Sequence, residues 1–170
     1  ERAIDLAAGG GASTRQQLID SLATDFRFDG ERRYALIRGA IAEAAQQALG
    51  DMSDAVQGVV LDRAARVAAV RSAAQSARYV EIRGDAGVGK SGLLRHLAEE
   101  VSQESRVLVL SPGRVAERGW AAMRAQFGFE GTLPELLSDL ASDGGGWVFV
   151  DNLDSYTPVE RLTVIDVVRA

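Results

Sequence analysis

The sequence predicts an α/β fold with a parallel sheet, because apolar strands alternate with helical segments along its second half. The three predicted strands cover residues 79–84, 106–111 and 144–151, and a helical pattern follows each one. The third strand is nearly all apolar, which is typical of a parallel strand covered on both faces. A glycine-rich turn joins the first strand to its helix, as expected between the parts of a βα unit.

The start of the chain predicts a tether followed by a helix. Consecutive glycines after residue 8 disfavour helical backbone, so residues 1–12 are predicted as a linker or tether. Ser13 or Thr14 can cap the helix that follows. Its apolar positions recur every four residues, at Leu18, Leu22 and Phe26.

A second helix is predicted to end near Gly50, which offers a stop. Its apolar residues alternate in steps of three and four, the spacing of one buried helix face: Tyr34, Ile37, Ile41, Ala44 and Ala48. Residues 13–56 are therefore predicted as a helical segment that precedes an α/β domain over residues 57–170. That domain opens with a β-branched stretch at residues 59–61 and an alanine-rich helix that Asp62 can cap.

The remaining helices follow the turn and the later strands. Residues 90–102 are predicted as a helix directly after the glycine-rich turn, and residues 112–129 and 132–141 as two more. A last helix is predicted to begin at Pro158, with Thr157 as its cap.

Composition excludes several kinds of site and partner. The formal net charge of −5 gives no general field that would attract nucleic acid, so direct nucleic-acid binding is not indicated. The absence of cysteine, together with a single histidine, His96, excludes disulfides and cysteine-ligated metals. No apolar run reaches the roughly 20 residues that span a bilayer, so a cytoplasmic location and no membrane partner are expected. The chain lacks an initial methionine and stops within an apolar pattern, and we expect it to be part of a longer protein.

Residues 84–91, GDAGVGKS, match the phosphate-loop pattern GxxxxGK[ST] between a predicted strand and a predicted helix. Such a loop wraps phosphate oxygens with backbone N–H groups, and side chains at its glycines would obstruct them. Lys90, the single lysine of the chain, is predicted to reach the β- and γ-phosphates, and Ser91 to place its hydroxyl on Mg²⁺. The predicted nucleotide contacts in this stretch are Gly84, Asp85, Ala86, Gly87, Val88, Gly89, Lys90, Ser91 and Gly92.

A carboxylate follows the third predicted strand, where the second part of a magnesium site is expected. Asp151 ends the apolar run WVFV and is predicted to hold Mg²⁺ through water; a turn or helix cap is the alternative. Asn152 stands where many ATPases carry a glutamate that orients the attacking water, and an amide cannot take a proton. Asp154 is the remaining candidate for that role, or else caps the last helix. The candidate catalytic residues are thus Lys90, Asp151, Asn152 and Asp154.

With both motifs present, the chain resembles P-loop NTPases of the additional-strand class, and among them the STAND signalling ATPases, which include NACHT-like proteins and bacterial antiphage defence ATPases. GDAGVGKSGLLRHLA resembles their Walker A motif and following helix, and VFVDNLDS resembles their Walker B motif. Asn152 replaces the family's small residue, and Ser155 replaces its final acid. The resemblance covers about residues 57–170 and implies a three-layer α/β/α sheet that binds ATP and Mg²⁺.

Residues 59–70, VVLDRAARVAAV, resemble the strand-like turn and helix that precede the phosphate loop in AAA+ and STAND proteins and cover the adenine. This resemblance implies base contacts from Val59, Val60 and Leu61, with a purely core role as the alternative. The resemblance of the two motifs to those of STAND proteins also implies slow ATP hydrolysis, self-association in the ATP-bound state, and fused or recruited effector and sensor regions.

The sequence motifs are also compatible with two other functions. A nucleoside or small-molecule kinase uses the same loop, although residues 1–83 precede the loop here and no arginine-rich lid is visible. A nucleotide-binding interaction module without turnover is favoured by Asn152 and Ser155. No guanine-reading NKxD pattern occurs, which favours ATP over GTP.

Overall fold

The computed structural model describes residues 34–53, 55–56, 59–60, 62–142 and 145–170. The predicted tether and the first predicted helix lie outside the described residues. Within these ranges, the structure has six α-helices and one parallel pair of strands. A short hairpin follows the first helix and precedes the second in the chain. The described part of the chain is therefore a mixed α/β arrangement, in agreement with the coarse prediction. No helix in it combines the length and apolar character needed to cross a membrane.

The second predicted helix is confirmed as α1, Ala35–Asp51. Gly50 lies within its last turn and Met52 is its C-cap, two residues beyond the predicted stop. A hairpin follows, in which β1 (Ala55–Val56) pairs antiparallel with β2 (Val59–Val60). The buried residues of α1 keep the helical spacing: Ile37, Ile41, Ala45, Ala48 and Leu49. Of the predicted positions, Ala44 is only half-buried, and its neighbour Ala45 is buried instead.

The glycine-rich turn lies between two helices, α2 (Ala64–Ser76) and α3 (Lys90–Val101). The Asp62 carboxylate accepts a hydrogen bond from the Ala64 N–H at 2.9 Å, so it satisfies one of the unpaired donors at the start of α2. Both helices agree with the sequence prediction, but the N-cap of α2 is Arg63, one residue after the predicted cap Asp62.

The first predicted strand, residues 79–84, is wrong: these residues pair with no strand in the described part of the chain. Tyr79 is 63% exposed, and Ile82 packs only partly buried against a core cluster. A strand needs a neighbour that accepts and donates its backbone hydrogen bonds. The local apolar pattern that predicted the strand carries no information about such a neighbour.

The parallel pair consists of β3 (Arg106–Leu110) and β4 (Gly146–Val150), in register from Arg106↔Gly146 to Leu110↔Val150. The Asp151 N–H donates to the Leu110 carbonyl at 3.0 Å, which extends the ladder by one bond. Val148 of β4 is 41% exposed, so the prediction that this strand is covered on both faces is wrong for the described residues.

Three helices complete the described chain: α4 (Trp120–Gln126), α5 (Leu133–Leu140) and α6 (Pro158–Arg169). The last two begin with capping boxes, in which the cap hydroxyl and the carboxylate three residues later each accept a backbone N–H. Thr132 caps α5, and Thr157 caps α6 as predicted.

The helix predicted over residues 112–129 is wrong before α4, where the structure has turns. Side chains of α6 hold the backbone there: Glu160 accepts from the Gly113 N–H at 2.7 Å, and Thr163 accepts from the Gly119 N–H at 2.9 Å. Both glycines have positive φ, 77° and 85°, a conformation incompatible with a helix. Bonds to a helix more than 40 residues away therefore replace the local helical ladder.

Two hydrophobic clusters lie on the two faces of β3, because successive residues of a strand point to opposite sides. Leu108 and Leu110 belong to the first cluster, with residues of α4, α5 and α6. Val107 and Val109 belong to the second cluster, with residues of α2 and α3. The first half of α1 packs in the first cluster and its second half in the second. The predicted division of the chain between residues 56 and 57 stays a prediction.

Candidate functional site

The glycine-rich turn ends at Gly89, which is the N-cap of α3. Gly87 and Gly89 have φ of 80° and 87°, in the left-handed region that side chains disfavour. No side chain among the described residues caps α3. Because the first N–H groups of a helix have no partner within it, the start of α3 offers donors and a positive dipole end to an anion.

Lys90 is the first residue of α3, and its side chain folds back over the turn. Its Nζ donates hydrogen bonds to the Gly84 carbonyl at 2.8 Å and to the Asp85 carbonyl at 2.9 Å. An ammonium has three donors, so these bonds hold its charge over the turn and leave one donor for a further acceptor. Asp85, Ala86 and Val88 are exposed beside it.

Ser91 and Asp151 meet although sixty positions separate them. The Ser91 Oγ donates to the Asp151 Oδ1 at 2.8 Å. The start of α3 positions the serine, and the end of β4 positions the aspartate. The structure thus brings together the two residues that the sequence predicts for the metal.

The donors at this position fit Mg²⁺ bound together with a phosphate group. Magnesium prefers oxygen ligands and takes one or two of them from protein side chains, with waters and phosphate oxygens as the rest. Ser91 and Asp151 supply a hydroxyl and a carboxylate. No group of three His, Cys, Asp or Glu side chains in the described ranges, at this position or elsewhere, lies close enough together to hold a metal ion.

Arg63 is a site residue that the sequence reasoning missed. Its side chain is 5% exposed and lies against the glycines of the turn and of α3. A Cβ at Gly89 would lie 2.7 Å from the Arg63 Nη1, and a Cβ at Gly92 would lie 2.9 Å from its Nη2. These two glycines therefore make room for a guanidinium, whose charge adds to the positive potential at the start of α3.

The residues after Asp151 leave β4 in a tight turn. Asn152 has φ 48° and ψ 57°, a left-handed conformation that asparagine tolerates better than most residues. Asp154 lies in the 3₁₀ turn Leu153–Ser155, and its exposed carboxylate has no hydrogen bond within the described part of the chain. The cap of α6 is Thr157, so the interpretation of Asp154 as that cap is wrong.

No contact in the described part of the chain places the residues predicted to bind the base beside the glycine-rich turn. Val59 and Val60 form β2, and Leu61 lies outside the described residues. The adenine side of the site therefore stays a prediction.

Tyr156 lies buried near Asp151. Burial raises the pKa of its phenol well above the ordinary value, and the negative charges of Asp151 and Glu160 raise it further. Its hydroxyl is therefore neutral at any physiological pH, and it has no hydrogen-bond partner among the described residues.

Comparison of the chain with protein-family models, with curated proteins and with solved structures finds no match.

Proposed function

We propose that this chain binds ATP with Mg²⁺ and hydrolyses it slowly, as the nucleotide-dependent switch of a larger STAND-type signalling or defence protein. The hydrogen bond between Ser91 and Asp151 carries this proposal. Each residue belongs to a separate motif, and neither motif specifies where the other lies. Because Ser91 and Asp151 are in contact and Ser91 directly follows Lys90, the proposed metal-binding residues lie next to the proposed phosphate-binding residue.

The residues of the turn have distinct roles in the proposed site. The N–H groups at the start of α3 and the Lys90 ammonium bind the phosphate oxygens, and Ser91 and Asp151 hold the metal. When bound, Mg²⁺ neutralises charge on the β- and γ-phosphates. The exposed Asp154 carboxylate is the group that can accept a proton from the attacking water.

The finer fold is part of the same proposal. Helices on both faces of β3, a parallel register and a phosphate-type turn before α3 support a three-layer α/β/α sheet of the P-loop class. Self-association in the ATP-bound state, effector and sensor regions, and a cytoplasmic location rest on the sequence resemblance alone.

A nucleotide-binding module without turnover is the second candidate. Asn152 supports it, since its amide occupies the position directly after the metal-site aspartate and cannot accept a proton. Measuring phosphate release alongside nucleotide binding separates the two candidates. Binding with no release above background would favour the module.

The test of nucleotide binding compares the chain with Lys90→Ala by equilibrium titration of labelled ATP in the presence of Mg²⁺. A hydrogen bond to a charged group contributes about 1.5–3 kcal/mol, so we expect roughly ten- to hundredfold weaker binding in the variant. Lys90→Arg is expected to lose nearly as much, because a planar guanidinium does not fit where the compact ammonium lies.

Arg83→Ala is the matched control for this titration. Arg83 also carries a positive charge next to the turn, but its exposed side chain pairs with Glu81 at 2.7 Å. We expect its affinity for ATP to stay within about twofold of the wild type, since exposed ion pairs contribute little. Equal ATP affinities for the wild type and Lys90→Ala would overturn the proposed function.

A further inference from the structure

Ser111 directly follows β3, and its side chain is 7% exposed. Its Oγ has no hydrogen-bond partner among the described residues. A buried hydroxyl without a partner costs about 1–3 kcal/mol, so such groups in folded proteins usually serve a water, an ion or a ligand.

The register of the sheet places Ser111 opposite Asp151. The ladder extends past the last paired residues through the bond from the Asp151 N–H to the Leu110 carbonyl. Side chains alternate along each strand, so Ser111 shares a face with Val109, and Asp151 shares a face with Phe149. Both apolar residues belong to the second cluster, against which α3 packs.

The two residues therefore lie at the same edge and on the same face of the sheet as the start of α3. Ser91, on the first turn of α3, already donates to the Asp151 Oδ1. The register thus places a third oxygen-bearing residue, Ser111, at the same end and on the same face of the sheet as Ser91 and Asp151. The three groups come from α3, β3 and β4.

We propose that the Ser111 hydroxyl positions the Mg²⁺ of the nucleotide complex by accepting a hydrogen bond from a water molecule in the coordination shell of the metal. This inference rests on the proposed function. Magnesium keeps several of its waters when it binds to proteins, and their protons need acceptors. The Ser111 Oγ has no hydrogen-bond partner among the described residues, so it is available to a water that lies between it and the metal.

The substitution Ser111→Ala separates this role from a structural one. It removes a hydroxyl that satisfies no group in the described structure, so the free energy of unfolding should stay equal or rise. A loss of metal affinity in a variant of unchanged stability cannot come from partial unfolding.

The experiment measures Mn²⁺ binding by electron paramagnetic resonance in the presence of saturating ADP. Groups that hold the ligands of a metal typically contribute ten- to hundredfold to its affinity, so we expect about tenfold weaker Mn²⁺ binding for Ser111→Ala. The affinity for ADP measured in EDTA should not change. Ser102→Ala is the control, because it removes a serine hydroxyl at the opposite end of α3, where the Oγ donates to the Glu99 carbonyl at 2.8 Å. Its Mn²⁺ affinity should stay within about twofold of the wild type.

The possible failures point to different causes. Equal Mn²⁺ affinities for the wild type and Ser111→Ala, or an equal loss in Ser102→Ala, would overturn the role of Ser111 and leave the proposed function standing. A fall in ADP affinity in EDTA would overturn it as well, since the effect would not be on the metal. A wild-type chain that binds neither ADP nor Mn²⁺–ADP would overturn both proposals.

Discussion

Arg63 and two glycines show how single residues shape the start of α3. Glycine within a helix costs about 1 kcal/mol relative to alanine, yet α3 carries Gly92 in its first turn. The guanidinium of Arg63 occupies the space that an alanine Cβ would need at this position. Gly39 of α1 has the opposite surroundings: apart from its chain neighbours and the backbone of α1, no atom lies within 4 Å of the corresponding Cβ.

We predict that Gly39→Ala and Gly92→Ala change stability in opposite directions. Gly39→Ala should raise the free energy of unfolding by about 0.5–1 kcal/mol, because it gains helix propensity without a clash. Gly92→Ala should lower it by about 1 kcal/mol, because the buried guanidinium must move. Urea unfolding measures both values.

The Arg63→Ala background provides the control for the clash. Without the guanidinium, Gly92→Ala should become stabilising, and the double-mutant cycle should give a coupling of about 1–2 kcal/mol. A Gly92→Ala variant that is stabilised as much as Gly39→Ala would show that Arg63 does not constrain this glycine.

The site residues differ in how far the sequence can predict them. The glycines of the turn, Lys90 and Ser91 form one continuous pattern, which is a local signal. Asp151 follows an apolar strand, a weaker but still local signal. Arg63 lies at the site because of how the start of α2 packs against α3, and Ser111 because of the register of β3 with β4. No local sequence pattern predicts either position. Asp62 marks the start of α2 but does not indicate where the next side chain lies.

At the scale of elements, α6 holds the turns before α4 through three polar residues on one face. Glu160, Thr163 and Asp166 follow one another in steps of three and accept hydrogen bonds from backbone N–H groups at 2.7, 2.9 and 2.8 Å, respectively. Thr163 is fully buried and also donates to the Ala116 carbonyl at 2.6 Å. The segment after β3 therefore depends on α6 for its conformation.

The contribution of α6 to the conformation of the segment after β3 should appear in the pH dependence of stability. Hydrogen bonds from the Thr157 and Gly113 N–H groups and from the Thr157 hydroxyl lower the pKa of the Glu160 carboxyl. A lowered pKa stabilises the fold above the unfolded value of about 4.3, and this contribution is lost as the pH falls through the folded pKa. We predict that Glu160→Gln is less stable than the wild type by roughly 1–2 kcal/mol at pH 7.

Urea midpoints at pH 7, 5 and 3 check this prediction, and the difference should shrink toward pH 3. Glu130→Gln, at an exposed position, is the control and should lie within about 0.5 kcal/mol of the wild type at pH 7. A wild-type advantage that stays constant or grows toward pH 3 would contradict the role of the Glu160 charge.

The same elements show which parts of the fold the sequence can predict. The cap of α6 and the buried face of α1 are confirmed, because a capping residue and a helical period act over a few residues. The sequence predictions are wrong for the turns at residues 112–119 and for the unpaired residues 79–84. Their conformation depends on distant groups, the side chains of α6 in one case and a neighbouring strand in the other.

At the scale of the whole molecule, α1 joins the two hydrophobic clusters, and the proposed site lies where α3 meets the sheet. The chain has two tryptophans, and each reports on one cluster. Trp120 packs against the first cluster, 5.7 Å from the ring of Phe129. Trp147 packs against the second cluster and stacks on Phe149, also at 5.7 Å between ring centroids.

We predict that Mg²⁺–ADP stabilises both clusters together, because α1 and β3 contribute buried residues to each. A ligand at 100 times its dissociation constant stabilises the native state by about 2.7 kcal/mol. Trp120→Phe and Trp147→Phe variants each leave one tryptophan, whose fluorescence follows thermal unfolding of one cluster. Both melting temperatures should rise by the same amount, about 5–10 °C, and neither should rise when Lys90→Ala is added. A rise seen by Trp147 alone would show that the clusters unfold separately, since the ligand would then stabilise only the cluster that contains α3.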